Sequence, residues 1–418
     1  MKLAVVGGGS TYTPELVDGL TRMRALLPVE ELALQDPNEE RLAILGGLTR
    51  RMLDRAGHPA LLATTTGLDE AVDGADAVLI QLRVGGQAAR MVDESVPLAC
   101  GCLGQETTGY GGLAKALRTV PVVLDIAERV RSRVPDAWIV DFTNPVGIVT
   151  RALLDEGHRA VGLCSAAMVF QQHFARVLEV EPERVELDHV GLNHLTWEIG
   201  VRVDGDDVLG RLVGEHVDRV APATGLSSDL VRRLGVVPSY YLHYFYEHDD
   251  VVEHQRRHGS RAEEVAELER QLLELYADES LAEKPELLGR RGGAFYSEAA
   301  VELLASLFGT AGGGRHVVNV RNEGALPFLA DDAVVEVPAR VDDDGIAPVA
   351  VPPLDAVHRG LVSHVSAYEE LALEASRRGG RERVFRALLA HPLVGQTHVA
   401  ETLADRMIDA NREYLAWA

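Results

Sequence analysis

The chain has 418 residues, with 64 acidic and 41 basic side chains, a formal net charge of −23, 46% hydrophobic residues and 25% charged residues. This balance excludes disorder and fibrous repeats, and the length calls for two or three domains around a sizeable core. Acidity spread along the whole chain excludes a nucleic-acid partner and obliges any anionic ligand to find local cations or backbone amides.

Residues 3–6 form an apolar run that ends in Gly7-Gly8-Gly9-Ser10-Thr11-Tyr12, after which Thr13-Pro14-Glu15 offers an N-cap, a proline at the first helical position and an early acid. The expected order is strand, tight loop, helix, with the loop's bare amides (Gly7, Gly9, Ser10 and Thr11) and the helix N-terminus placed to hold the pyrophosphate of a dinucleotide. Gly7 and Gly9 match the first two glycines of the dinucleotide fingerprint, while Tyr12 stands where the third would be and keeps the helix further off. A second strand over 31–35 ends at Asp36. That carboxylate is spaced to accept ribose hydroxyls and to repel a 2′-phosphate, which favours NAD over NADP; Pro37 and Asn38 beside it also fit a plain turn acid.

Strands are expected next over 61–63 and 75–82, followed by Gln81-Leu82-Arg83-Val84-Gly85-Gly86, Arg90, Asp93-Glu94 and a glycine-rich segment from Gly104 to Gly112. So many glycines beside arginine and glutamate fit either a loop shaped around a ligand or a flexible lid. A helix over 116–134 leads to a strand over 137–142, and Asn144 just beyond it can face a sugar or cofactor or simply form a turn. A helix over 147–154 and a strand over 160–164 ending at Cys164 complete an alternation that builds a Rossmann-like, doubly wound parallel sheet over residues 1–165.

The remainder, residues 166–418, is expected to be a mixed, helix-rich α+β domain, with strands over 185–190, 316–320 and 333–337 and helices over 263–276, 297–308 and 397–417. Asn193-His194 follows an apolar run; one thiolate at Cys164 and one imidazole at His194 would leave open positions on a metal, although each also fits an ordinary core or polar residue. His254 and His258 stand four apart, but Arg256, Arg257 and Gly259 around them favour a solvated loop over a metal site. Asp342-Asp343-Asp344-Gly345 reads as a solvated turn. Three cysteines are too few to staple a chain of this size and fit a reducing cytoplasm; no stretch suits a membrane span or a signal peptide.

Taken together, Val5 to Leu16, Arg83-Val84-Gly85-Gly86, Gly104-Gln105-Glu106-Thr107, Asn144-Pro145, Gly162-Leu163-Cys164, Gly191-Leu192-Asn193-His194 and Arg291 to Ser297 resemble glycoside hydrolase family 4, nearest its 6-phospho-β-glucosidase branch, in order from residue 1 to about residue 340. The resemblance implies an architecture of the lactate and malate dehydrogenase type and an oxidation-led hydrolysis outside the usual two-carboxylate scheme. NAD+ would take hydride from C3 of the sugar, a base would remove the acidified C2 proton, the aglycone would leave C1, water would add and the hydride would return.

In that family a divalent metal, usually manganese, is held by one cysteine and one histidine, matched here by Cys164 and His194. The base is a tyrosine in a Pro-x-x-Tyr-Leu stretch, matched by Tyr241 in Pro238-Ser239-Tyr240-Tyr241-Leu242, with Tyr240 as the other choice; it needs a lowered pKa. Arg83, Asn144 and Arg291 match substrate residues, and Glu106 would orient water or metal. Ser165 departs from the asparagine that often follows the metal cysteine, which alters contacts beside the metal. The resemblance thus implies an enzyme acting on a phosphorylated β-glucoside, while the few cysteines fit a cytoplasmic setting and the acidic surface and C-terminal amphipathic helix permit a homo-oligomer, dimer or tetramer. The alternatives are a related glycosidase for another phosphorylated or free glycoside, and a 2-hydroxy-acid dehydrogenase that would release NADH.

Overall fold

A computed structural model describes residues 1–292 and 295–418; Gly293 and Ala294 of the Arg291-to-Ser297 motif lie outside the described residues. Six short apolar segments form parallel strands: β1 (Lys2–Val6), β2 (Glu31–Gln35), β3 (Leu61–Thr65), β4 (Ala77–Ile80), β5 (Trp138–Asp141) and β6 (Ala160–Gly162). They lie in the order β3-β2-β1-β4-β5-β6, which is the doubly wound dinucleotide-binding order, with its reversal point between β1 and β4. β1, β4, β5 and β6 carry almost entirely buried residues because helices cover both faces of the sheet. The helix Glu39–Ala56 shows how local chemistry sets the ends: Asn38 accepts the Arg41 amide at the start, and Gly57 closes it in the left-handed region.

The later strands are β7 (Val185–Leu192), β8 (Leu195–Val203), β9 (Asp206–Asp207), β10 (Val237–Pro238), β11 (Gly314–Arg321), β12 (Val334–Asp342) and β13 (Gly345–Pro348). They extend the same sheet in antiparallel fashion, in the order β10-β8-β7-β12-β11-β6. One row of cross-strand partners runs through both parts: Asp141 with Gly162, Gly162 with Asn319, Asn319 with Glu336, Glu336 with Gly191, and Gly191 with Thr196. Gly162 is required at the crossing, since a Cβ there would stand 2.1 Å from Thr150 Oγ1 and 2.9 Å from Asn319 Cβ.

Several elements differ from expectation. Thr13 does not cap the first helix; its hydroxyl donates to Gly8 O, and the helix Thr13–Arg22 begins after Tyr12. The segment 104–112 is no lid. It is largely buried, Gln105 Oε1 accepts the amides of Thr107 and Thr108, and a Cβ on Gly104 or Gly111 would lie 2.0 and 2.1 Å from the carbonyl oxygens of Glu94 and Gln105. His254 and His258 lie on a helix, His248–His258, rather than a loop, and both are exposed there, with His258 Nδ1 bonded to His254 O. β8 and the helices Ala356–Arg378 and Arg381–Ala390 were not anticipated. Among the described residues no helix is long and apolar enough to cross a membrane.

Candidate active site

In an open parallel sheet, ligands gather at the carboxyl ends of the strands, and the candidate residues follow that edge. Gly7 follows β1, Asp36 follows β2, Arg83 follows β4, Asn144 follows β5 and Cys164 follows β6. His194 arrives from the other part of the sheet, in the two-residue turn between β7 and β8, where its backbone takes the left-handed φ of 62° that non-glycine residues seldom adopt.

In the glycine loop most amides are already bonded. Those of Gly7 and Gly8 donate to Gln35 O, that of Gly9 to Asp36 Oδ2, that of Ser10 to Gly7 O and that of Tyr12 to Ser10 Oγ. The loop is thus a rigid floor more than the set of bare donors expected. Thr11 is fully buried and its carbonyl accepts the Tyr276 hydroxyl, so Ser10 and the half-buried Asp36 form the accessible part.

Cys164 stands two residues before the helix Ala166–Leu178, and the Ala166 amide, the Asn193 side chain and the Ser165 amide beside it act to lower its pKa. These contacts favour a thiolate. Burial and the charge of Glu336 outweigh them in the metal-free chain and hold the thiol well above its ordinary pKa.

His194 Nδ1 lies 2.8 Å from Thr107 Oγ1. The Thr107 hydroxyl spends its one proton on Gln105 Oε1, 2.9 Å away, because that oxygen also takes two amide protons and can only accept. Thr107 therefore accepts from Nδ1–H, and Nε2 keeps its lone pair for a ligand. Burial lowers the pKa of His194 to about 4, so the ring is neutral.

Tyr241 stacks on His194 with ring centroids 3.6 Å apart and planes inclined by 9°, whereas Tyr240 is half exposed and meets Tyr241 only edge-on. Burial, followed by the negative charge of Cys164, raises the Tyr241 phenol well above its usual range. Cys164, His194 and Tyr241 are thus brought together. A soft thiolate and a neutral imidazole, with Glu106 and Glu336 acting on the same ring, suit a divalent cation that would neutralise the acids and lower the phenol.

Glu106 is a hub that sequence reasoning placed only loosely. It pairs with Arg83, with Lys115 at 2.8 Å and with Arg90 at 3.5 Å. Despite burial, these cations hold its carboxyl far below the ordinary range, while burial and the charge of Arg83 bring Lys115 down to about 8. Arg83 is therefore already claimed by a carboxylate.

Arg291 lies over the Tyr12 ring at 4.5 Å and pairs with Glu269 at 3.2 Å. Its Nε and Nη1 are buried with no partner among the described residues, and so is Asn144 Oδ1. Glu269 also accepts from Arg41, which holds Gly9 O, and from Gln87. Tyr12 closes the group by donating to Gly292 O. Lys115, Glu269, Glu336 and His189 were missed; each sits inside a helix or strand, where the only sequence signal was a charged residue at a position the periodicity assigns to the core.

A dinucleotide sheet fused to an antiparallel extension, with a thiol, an imidazole and a phenol meeting at its edge, defines an NAD-dependent enzyme of the dehydrogenase architecture. In agreement, malate dehydrogenase from Plasmodium falciparum superposes with a TM-score of 0.56 at 14% identity, covering 93% of this chain and 99% of that one, a likeness of fold alone. The description "Family 4 glycosyl hydrolase" matches residues 2–180, and that of the C-terminal domain of the same family matches residues 189–394.

The chain is 35% identical to a 6-phospho-beta-glucosidase of Escherichia coli (strain K12), with 99% of this chain and 96% of that protein covered. The solved 6-phospho-beta glucosidase of Thermotoga maritima with manganese, NAD+ and glucose-6-phosphate superposes with a TM-score of 0.91 at 32% identity, over 99% of each chain. The chain belongs to family 4 of the glycosyl hydrolases.

Proposed function

We propose that this protein is a 6-phospho-β-glucosidase that hydrolyses 6-phospho-β-D-glucosides with NAD+ and a divalent metal, manganese first among them. The observation that carries this reading is the convergence of Cys164, His194 and Tyr241 at the strand edge that also bears the dinucleotide loop. The relatives named above, and the manganese, NAD+ and glucose-6-phosphate in one of them, support the substrate and cofactors.

Bound NAD+ supplies a reversible hydride acceptor, and a bound divalent cation supplies positive charge for the oxygens at C2 and C3 of the sugar. Cys164 Sγ and His194 Nε2 would hold the cation. Tyr241 Oη takes the C2 proton, in a setting where burial and neighbouring acids otherwise keep the phenol protonated. Arg291 receives the sugar phosphate through Nε and Nη1, which have no partner among the described residues, and Asn144 and Arg83 contact the sugar. Glu106, held ionised by three cations, orients water. Residues 1–165 carry the dinucleotide on a floor shaped by Gly7, Gly9 and Thr11, with Ser10 and Asp36 as the accessible contacts, and residues 166–418 complete the metal and sugar site.

Three thiols without a disulfide support a cytoplasmic setting. Exposed Met91 and Val92, beside Leu98 and Ala99 at an open groove, support a homo-oligomer, dimer or tetramer. The test is cleavage of matched phosphorylated and free aryl β-glucosides with and without NAD+ and Mn2+, using substrate deuterated at C2. Dependence on both, slower turnover of the deuterated sugar and no net NADH are expected. Cleavage indifferent to both cofactors overturns the reading, preference for a free or different glycoside points to another member of the family, and net NADH points to a dehydrogenase.

A further inference from the structure

Outside the reacting groups, the deepest polar cluster lies in the antiparallel part of the sheet. His189, Glu198 and Glu336 are at most 1% exposed, with His189 Nδ1 2.6 Å from Glu198 Oε1 and His189 Nε2 3.0 Å from Glu336 Oε1. The other Glu336 oxygen accepts from Asn193 Nδ2 and Asn319 Nδ2, each at 2.8 Å. The negative charge of Glu336 acts on both Cys164 and His194.

The register explains the convergence. Glu336 on β12 stands opposite Asn319 on β11 and Gly191 on β7, and Gly191 opens the turn that carries Asn193 and His194. Both Glu336 oxygens are used on groups that only donate, so the carboxylate fixes which way the Asn193 amide points. Asn193 immediately precedes His194, so a fixed Asn193 side chain also fixes the turn that presents the imidazole.

We propose that Glu336 is the positioning residue of the metal site: anchored by His189 and Asn319, it holds the Asn193 side chain, fixes the turn that presents His194, and places a fixed negative charge behind the cation. This rests on Cys164 and His194 being the metal ligands. Glu336→Gln keeps the volume but not the pattern, because one end of its amide is a donor and faces either His189 or the two asparagines. His189 retains Glu198 as a partner, which favours folding of the variant.

The experiment measures Mn2+ binding by the electron paramagnetic resonance of free Mn2+, and the sulfur-to-cobalt absorption of the Co2+-loaded protein, with NAD+ binding measured separately. In E336Q the Mn2+ dissociation constant is expected to rise about 10- to 100-fold, with a shifted cobalt band and unchanged NAD+ affinity. Should E336Q not fold, N193A, changed at a half-buried turn residue, must show the same loss. Unchanged Mn2+ affinity and cobalt band in either variant overturns the proposal, as does a loss of Mn2+ and NAD+ affinity together. If C164S binds Mn2+ as tightly as the unaltered chain, the ligand assignment itself fails, which is a distinct outcome.

Discussion

Arg291 is a buried guanidinium with one carboxylate partner and two nitrogens, Nε and Nη1, that have none among the described residues, an arrangement that is unfavourable until an anion arrives. Removing it in Arg291→Ala is expected to raise KM for a 6-phospho-β-glucoside by about 10- to 100-fold, the equivalent of about 1.5–3 kcal/mol for a hydrogen bond to a charged group. KM for the unphosphorylated glucoside should stay near its original value, and steady-state assays on the pair decide the matter. The two tyrosines part in the same way. Tyr241→Phe should lower kcat by about 10²- to 10⁴-fold and abolish exchange of the C2 proton with solvent, while Tyr240→Phe, changed on an exposed ring, should retain most activity.

Cys164, His194 and Tyr241 stand out in the sequence only through the motifs around them that resemble the family; by residue type and position alone they also fit a core thiol, a satisfied imidazole and aromatic packing. Glu336 does not stand out, because a glutamate between two valines in a strand normally faces water; only the register that sets Asn319 and Gly191 beside it gives it partners.

Among elements, the parallel strands are readable from short apolar runs alternating with helical patterns, several of them ending at glycine or aspartate. β8 escaped because Glu198 and Gly200 break its pattern. Both are explained from outside the strand: Glu198 is held by His189, and a Cβ at Gly200 would stand 2.4 Å from Asp188 Oδ2, which is paired with Arg202 and Arg315. The glycine-rich segment 104–112 was open to two readings because composition does not tell a hinge from a close approach. The crossing between β6 and β11 offers a direct test. Gly162→Ala must displace Thr150 or Asn319, at an expected loss of about 1–3 kcal/mol and a lower thermal midpoint by calorimetry.

For the molecule as a whole, the net charge of −23 gave a poor guide to ligands. Lys115, Arg83, Arg90 and Arg291 are gathered near the strand edge against that background, and three of them are held by Glu106. Global stability should carry a pH signature from the buried cluster. Glu198 and Glu336 overcome burial and raise His189 to about 10, against about 6.5 when unfolded. Its contribution is therefore fully present below about pH 6.5 and fades as pH rises through about 10. Unfolding midpoints between pH 7 and 10.5 should fall more steeply for the unaltered chain than for His189→Gln; parallel curves would count against this assignment.

The row of partners from Asp141 to Thr196 also governs how this protein can be taken apart. Residues 1–165 look like a portable cassette for nucleotide-binding chimeras, yet a fragment ending there would leave β6, three buried residues long, as a raw edge stripped of β11. Such an edge is adhesive to other chains. The strand end that carries Cys164 would also lose Asn319, the residue that pairs with Gly162 across the sheet. Recombination between relatives should therefore exchange the sheet entire, or keep β6, β11, β12 and β7 from a single parent.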